Sequence, residues 1–416
     1  MQLTLKFFGD KKVKQSLMLL ATSVVIMPLT LGINYFLTRL LGKEGFGDYS
    51  LVTNVFVFLQ VVFNFGFFYS AGRLLAVSKD ERQQREYYGV GILVVFVLFL
   101  IQSIIMYIFI NTFNVFSDNN VQSIILFCIP FSCIFLFVNF NEQLLQGGNR
   151  IGLLSLSRLL PKTLFFFFLI FTFILFSKEM NVKSVLKLFL ILSFLSYAVI
   201  VLLVKPVFNN FKIRLAEIRK ATADYGFNIY IGSLIAVGAS TLSGILISFF
   251  GVSNTEVGYY SIALQFSAPL SLVPNVLATV AFKQFANSDF LDKKLVIAMY
   301  SISIFSLLAI FVIAKPMILL IYGTEYVKAS QLIFILSIGS ILYGISDFYN
   351  RFLLSKGEGK LLRDISFFVG GTLLISNIIL IKNYGAIGAT FSTVISGLMY
   401  LILIIFNFRK LNIKIC

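Results

Sequence analysis

Residues 153–176 read LLSLSRLLPKTLFFFFLIFTFILF, a stretch in which only Arg158 and Lys162 are charged. Crossing a hydrocarbon core of about 30 Å takes roughly 20 apolar residues of helix. If this span began only after Lys162, what remains before Ser177 would be too short to cross. The two cations are therefore expected inside the helix. They stand four apart, on one helix face.

Outward from this stretch the pattern repeats along the chain. Hydrophobic residues make up 58% and charged residues 12% of its 416 residues, so a polar exterior for water cannot be assembled and the solvent is lipid. Apolar runs between charged or glycine-rich breaks predict spans near 17–38, 49–72, 88–110, 122–145, 152–176 and 184–204. Six more follow near 226–250, 258–282, 295–314, 330–354, 364–382 and 385–408. Continuous runs, rather than alternating segments of about ten, exclude a β-barrel. The expected fold class is all-α: a polytopic membrane protein of about twelve transmembrane helices. The run Ser16–Thr38 exceeds a signal-peptide core and lacks a small-residue cleavage site, so it is read as a retained first span.

Orientation follows from the cations. With the N-terminus inside, the cytoplasmic segments hold 26 of the 34 Lys and Arg residues and the outer ones 8. Positive residues in short loops are held on the cytoplasmic side, so an even number of spans with both termini cytoplasmic is expected. The net charge of +16 is mostly this topological signal, and no nucleic-acid partner is expected. The organisation reads as a cytoplasmic N-terminus (1–16), a six-helix bundle (17–204), a cytoplasmic linker (205–225), a second six-helix bundle (226–408) and a cytoplasmic tail (409–416).

The two halves repeat. Gly47, Tyr49 and Ser50 match Gly258, Tyr260 and Ser261 at an offset of 211, each set preceded by a glutamate, Glu44 or Glu256. Arg73, Ala76 and Ser78 match Lys283, Ala286 and Ser288 at 210, and LLQGGNR (144–150) matches LLSKGEGK (353–360) at 209. Six spans separate the equivalents, so the halves are expected to be parallel, as in carriers that rock one half against the other.

Several chemistries are set aside. There is no histidine, which removes the commonest general base and the usual zinc ligand. No GxSxG, GxxxxGK or HExxH motif occurs, and no connection is long enough to house a catalytic domain. Cys128 and Cys133 lie in one apolar run and read as buried filler; Cys416 ends the chain. Neither a metal nor a cofactor is expected.

Ionisable groups at membrane depth are functional candidates because burying them is costly. Asp347 lies in span 330–354, with Arg351 four residues on. It is either half of a structural ion pair or a proton or cation coupling site. Arg158 and Lys162 either line a cavity or snorkel to the inner interface; a guanidinium suits phosphate, which it can hold bidentately. Glu142, Arg39 and Arg73 stand near span ends, where interface anchoring competes with a role in transport. Asn34, Asn54 and Asn64 add polar atoms to the first two spans, and Pro28, Pro269 and Pro274 are expected to kink theirs.

RLLGKEGFGDYS (39–50), FNFGFFYSAGRLLA (63–76), QLLQGGNR (143–150), GVSNTEVGYYSIAL (251–264) and NYGAIGATFSTVISG (383–397) together resemble the polysaccharide-transporter branch of the multidrug, oligosaccharidyl-lipid and polysaccharide exporter superfamily, in particular its O-antigen flippases. The resemblance runs over nearly the whole chain. It implies a MATE-like fold of two parallel six-helix halves and a multi-pass protein of the bacterial inner membrane. It also implies a flippase for undecaprenyl-pyrophosphate-linked oligosaccharide working by alternating access. The expected cationic cavity comprises Arg158, Lys162, Arg39, Arg73 and Arg351, and the coupling carboxylates are Asp347 and Glu142. Expected partners are the lipid-linked cargo, membrane lipids, a coupling ion (proton or sodium) and the polysaccharide polymerase machinery. Rival readings are a drug or cation antiporter of the same superfamily, a major-facilitator carrier, whose DRxGR pattern is missing from residues 72–89, and a membrane enzyme acting on lipid-linked sugar.

Overall fold

The computed structural model describes residues 11–112, 119–176, 180–251, 253–288, 290–411 and 414–415. Cys416 and most of the expected cytoplasmic N-terminus lie outside them. Helices dominate: α1 (Lys11–Val62), α2 (Phe67–Val77), α3 (Glu81–Thr112), α4 (Asn119–Cys128), α5 (Cys133–Gly147), α6 (Ile151–Phe176), α7 (Val182–Val204), α8 (Phe211–Ala221), α9 (Phe227–Phe250), α10 (Thr255–Asn287), α11 (Lys293–Ile321), α12 (Val327–Ser355) and α13 (Gly359–Lys410). Two two-residue strands, Phe290–Leu291 and Lys414–Ile415, pair in parallel.

Among the described residues nine helices are long and apolar enough to cross a membrane, or ten when α4 and α5, bent by 52° at their junction, count as one broken span. Their outward residues are apolar. Leu320 is 83% exposed, Val312 74%, Phe305 73% and Leu202 73%, a surface that only lipid solvates without penalty. Side-chain hydroxyls are turned back onto the helix carbonyls, as in Ser346 to Leu342 O (2.7 Å) and Ser196 to Leu192 O (2.7 Å), where no water is at hand.

The breaks fall at glycine. In α1, Gly42 has φ 66° and ψ −178°, and in α13, Gly385 has φ 58° and ψ −135°, left-handed values that a Cβ disfavours. Each glycine divides a helix of 52 residues, far longer than a bilayer needs, near the joints expected between spans 1 and 2 and between spans 11 and 12. A further break lies inside expected span 2, where Phe65 (φ 48°) and Gly66 (φ 77°) separate α1 from α2. Pro28, Pro269 and Pro274, expected as kinks, lie inside α1 and α10 without a non-helical residue at the proline.

The chain forms two compact units: residues 1–42 with 56–231, and residues 43–55 with 232–416. In the first unit close helix contacts rest on glycine. A Cβ on Gly147 would overlap the carbonyl of Gly72, and one on Gly91 would meet Phe140 at 2.6 Å. The linker is helical and docked. Val207 N donates to Arg85 O (3.0 Å), Arg214 Nε and Asn210 Nδ2 donate to the buried Glu86 (2.8 and 2.9 Å), and Tyr87 OH donates to Glu217 (2.6 Å).

The second unit packs α10, α12 and α13 around Phe285, Phe348, Phe352 and Phe408. Phe285 lies edge-on to Phe348 and Phe352, with centroids 5.6 and 5.3 Å away, a favourable arrangement for the ring quadrupoles. Asn377 Nδ2 reaches Ser243 Oγ at 2.9 Å, an interhelical polar contact of the kind worth about 0.6 kcal/mol in a membrane.

One pair of matched segments is in contact, and another has a backbone counterpart. Within the second unit a Cβ on Gly258 would stand 3.4 Å from the Cα of Gly47, so the matched segments lie against each other. The ends of α5 and α12 close identically: Arg150 N donates to Leu145 O (2.8 Å) and Glu358 N to Leu353 O (3.2 Å), the six-to-one bond of a Schellman turn. Each turn contains one left-handed residue, Asn149 (φ 53°) or Gly357 (φ 84°). The backbone thus pairs Asn149 with Gly357 and Arg150 with Glu358, a register shifted by a single position from the sequence match of these segments.

Candidate functional site

The first unit contains a partly open cavity of about 340 Å³. Helix α5 brings Asn141 and Glu142 to it, α6 brings Ser157, Arg158 and Lys162, α1 contributes Gln60, and α7 contributes Tyr197; the rest of the wall is largely apolar. Arg158 and Lys162 stand seven and eleven residues into α6, roughly 10 and 16 Å along its axis at 1.5 Å per residue. Pro161 sits between them and lines the cavity. Its ring lacks the N–H that Ser157 O would accept four residues earlier.

Arg158 and Glu142 are a pair. Arg158 Nε donates to Glu142 Oε2 at 3.0 Å and Nη2 donates to Oε1, the fork-to-fork geometry that fits guanidinium to carboxylate. The side chains keep 29% and 33% of their exposure, and both residues line the cavity. Lys162 Nζ donates to Thr30 Oγ1 at 3.3 Å. By formal count, with two basic side chains and one acidic one, the wall carries a charge of +1.

The other expected cations are not part of this wall. Arg39 is exposed, with its guanidinium 5.6 Å from the ring centroid of Tyr35. Arg73 is exposed on α2. Arg351 belongs to the second unit and is half-buried on α12.

Asp347 lines a separate pocket of about 270 Å³ within the second unit, with Tyr343, Ser366, Gly370 and Tyr400. Its oxygens accept from Tyr400 OH (3.1 Å) and Asn275 Nδ2 (3.2 Å), and Asn350 Nδ2 donates to the same phenol at 2.8 Å. Among the described residues no salt bridge joins Asp347 to Arg351; its carboxylate is held by neutral donors. Cys128 and Cys133 are buried, 1% and 6% exposed.

Sequence reasoning found Arg158, Lys162, Glu142 and Asp347 but not their surroundings. Asn275, Tyr343 and Tyr400 carried no signal beyond being polar groups in apolar runs. Gln60 in FLQVVF and Asn141 in FNEQ were the clues to the neutral part of the cavity. A buried amide in a membrane helix needs a partner.

This polytopic helical protein, with a charged cavity between its helices, shares its fold with solved membrane transporters. The lipid II flippase MurJ, in an inward closed conformation, matches with a TM-score of 0.72 over 95% of this chain and 87% of that one, at 14% identity. An inward-facing multidrug resistance MATE family transporter of the MOP superfamily matches with a TM-score of 0.66 over 92% and 94%, also at 14% identity. At such identities the likeness is one of fold. Residues 13–287 match the polysaccharide biosynthesis protein family, well over half of the sequence, so the chain belongs to that family. It is also 27% identical over 292 residues, 66% of its length, to an uncharacterized membrane protein of Methanocaldococcus jannaschii; it spans 56% of that protein's length.

Proposed function

We propose that this protein is a flippase that carries a polyprenyl-pyrophosphate-linked oligosaccharide across the cytoplasmic (inner) membrane, as a repeat unit of O-antigen, capsule or exopolysaccharide. The reading rests on one observation above all: a cavity of net charge +1, with a guanidinium at its wall, inside a member of a polysaccharide biosynthesis family. The cargo's pyrophosphate is anionic and matches a guanidinium in charge and shape. A cationic drug would meet a like-charged wall.

Arg158 is the phosphate ligand in this scheme, and Glu142 is its counter-ion while the cavity is empty. Arriving phosphate takes the place of the carboxylate on the guanidinium. Lys162 adds the second positive charge, while Arg39, Arg73 and Arg351 serve the approach of the anion. Transport proceeds by alternating access in twelve crossings with both termini cytoplasmic; splitting the long helices at Gly42 and Gly385 supports that count. Asp347, on neutral donors, is the group through which a proton or sodium gradient acts. The polymerase machinery takes the delivered units.

The test is complementation in a strain lacking its own polysaccharide flippase. Arg158→Ala abolishes surface polysaccharide while the protein remains in the membrane at wild-type amounts, and Arg158→Lys restores part of it. Normal polysaccharide from the alanine variant overturns the assignment.

A further inference from the structure

The cavity in the first unit contains two amides that the pairing of Arg158 with Glu142 leaves unused. Asn141 is 2% exposed, stands one residue before Glu142 on α5, and lines the cavity. Among the described residues neither its Nδ2 nor its Oδ1 has a hydrogen-bond partner, and the same holds for Oε1 of Gln60 on the same wall. Leaving a buried polar group unsatisfied costs about 1–3 kcal/mol. Lipid outside the helices offers no partner either. A leucine at position 141 would avoid that cost, and a polar ligand received by the cavity would give the amide its use.

The chemistry of the amide narrows what that is. A primary amide presents donors and an acceptor at once. A phosphate only accepts, and would leave Oδ1 of Asn141 and Oε1 of Gln60 as they are; a quaternary ammonium ion satisfies neither end. A hydroxyl or an acetamido group both donates and accepts, and saccharides carry both. The volume of about 340 Å³ lies at the lower end of the roughly 300–1,000 Å³ of small-molecule sites. It suits one sugar-sized group, not an entire oligosaccharide.

We infer that Asn141 and Gln60 form a sugar subsite beside Arg158, hydrogen-bonding a hydroxyl or acetamido group of the monosaccharide that adjoins the phosphates. This rests on the reading of the chain as a carrier of lipid-linked saccharide, and it adds which part of the cargo the first unit reads: the reducing-end sugar.

The experiment uses the full chain in nanodiscs and three soluble probes: citronellyl pyrophosphate, and its diesters with N-acetylglucosamine and with galactose. The wild-type protein binds at least one diester more tightly than the bare pyrophosphate. Asn141→Leu lowers affinity for the preferred diester about tenfold, leaves the bare pyrophosphate within twofold, and melts at the same temperature or higher because an unsatisfied amide is gone. Gln60→Leu provides a second reading of the same contrast should the first variant fold poorly. If the leucine variants weaken all three probes equally, or none, the subsite is wrong while the phosphate site stands. If the wild-type protein binds none of the probes, the flippase reading fails with it.

Discussion

The cavity of the first unit and the pocket of the second each hold a carboxylate, and they hold it differently. Glu142 is gripped by a guanidinium through two charge-assisted hydrogen bonds, whereas Asp347 rests on a phenol and an amide at 3.1 and 3.2 Å. A guanidinium that already holds a carboxylate in both of these bonds is open to another anion that takes the carboxylate's place. Asp347 has no guanidinium hydrogen-bonded to it among the described residues, although Arg351 stands one helical turn away. In the proposed mechanism the first unit exchanges one anion for another and the second responds to a proton or small cation.

Breaking the pair in the first unit gives the largest effect. Arg158→Ala removes the guanidinium and leaves Glu142 without its partner, and transport falls a hundredfold or more as read by accumulation of cell-surface polysaccharide, with the protein still present in the membrane. Asp347→Asn sharpens the contrast. Asparagine keeps hydrogen-bonding capacity toward Tyr400 and Asn275, so membrane abundance is unchanged, while transport drops about tenfold and ceases to respond to dissipation of the ion gradient. Glu142→Gln raises the charge of the cavity wall to +2. Affinity for citronellyl pyrophosphate rises several-fold in equilibrium binding, and turnover slows because release is harder. Lys162→Gln is mildest: the contact it gives up is one hydrogen bond of 3.3 Å to Thr30, and affinity for the same probe falls only a few-fold.

The sequence made the cations legible because two charges in the otherwise apolar run 153–176 cannot hide. What it could not display is the partner across helices. Glu142 and Arg158 belong to successive helices, α5 and α6, and meet because the Schellman turn at Gly148–Arg150 folds one helix back along the other. From position alone Glu142 looked like an interface anchor. The same blindness applied to Asp347: the spacing to Arg351 invited a helical ion pair, but the carboxylate is held by α10 and α13, far away in sequence. Gly42 and Gly385 fell near joints that hydropathy had placed, since a left-handed glycine and a polar neighbour mark the same turn. The break at Phe65–Gly66 was missed because FNFGFF is apolar apart from one asparagine, and periodicity carries no mark of a local change in φ. In the sequence the docked helix α8 reads only as a linker whose basic residues report topology. Its acidic anchor Glu86, 2% exposed, lies far earlier in the chain.

Reconstituted transport tests the central claim most directly. Purified protein in liposomes is given a fluorescent polyprenyl-pyrophosphate-linked oligosaccharide in one leaflet, and its arrival in the other is followed by quenching. The wild-type protein moves this cargo and Arg158→Ala does not, while a cationic dye is moved by neither. Uptake of the dye by the wild-type protein, with the lipid-linked saccharide left in place, contradicts the account.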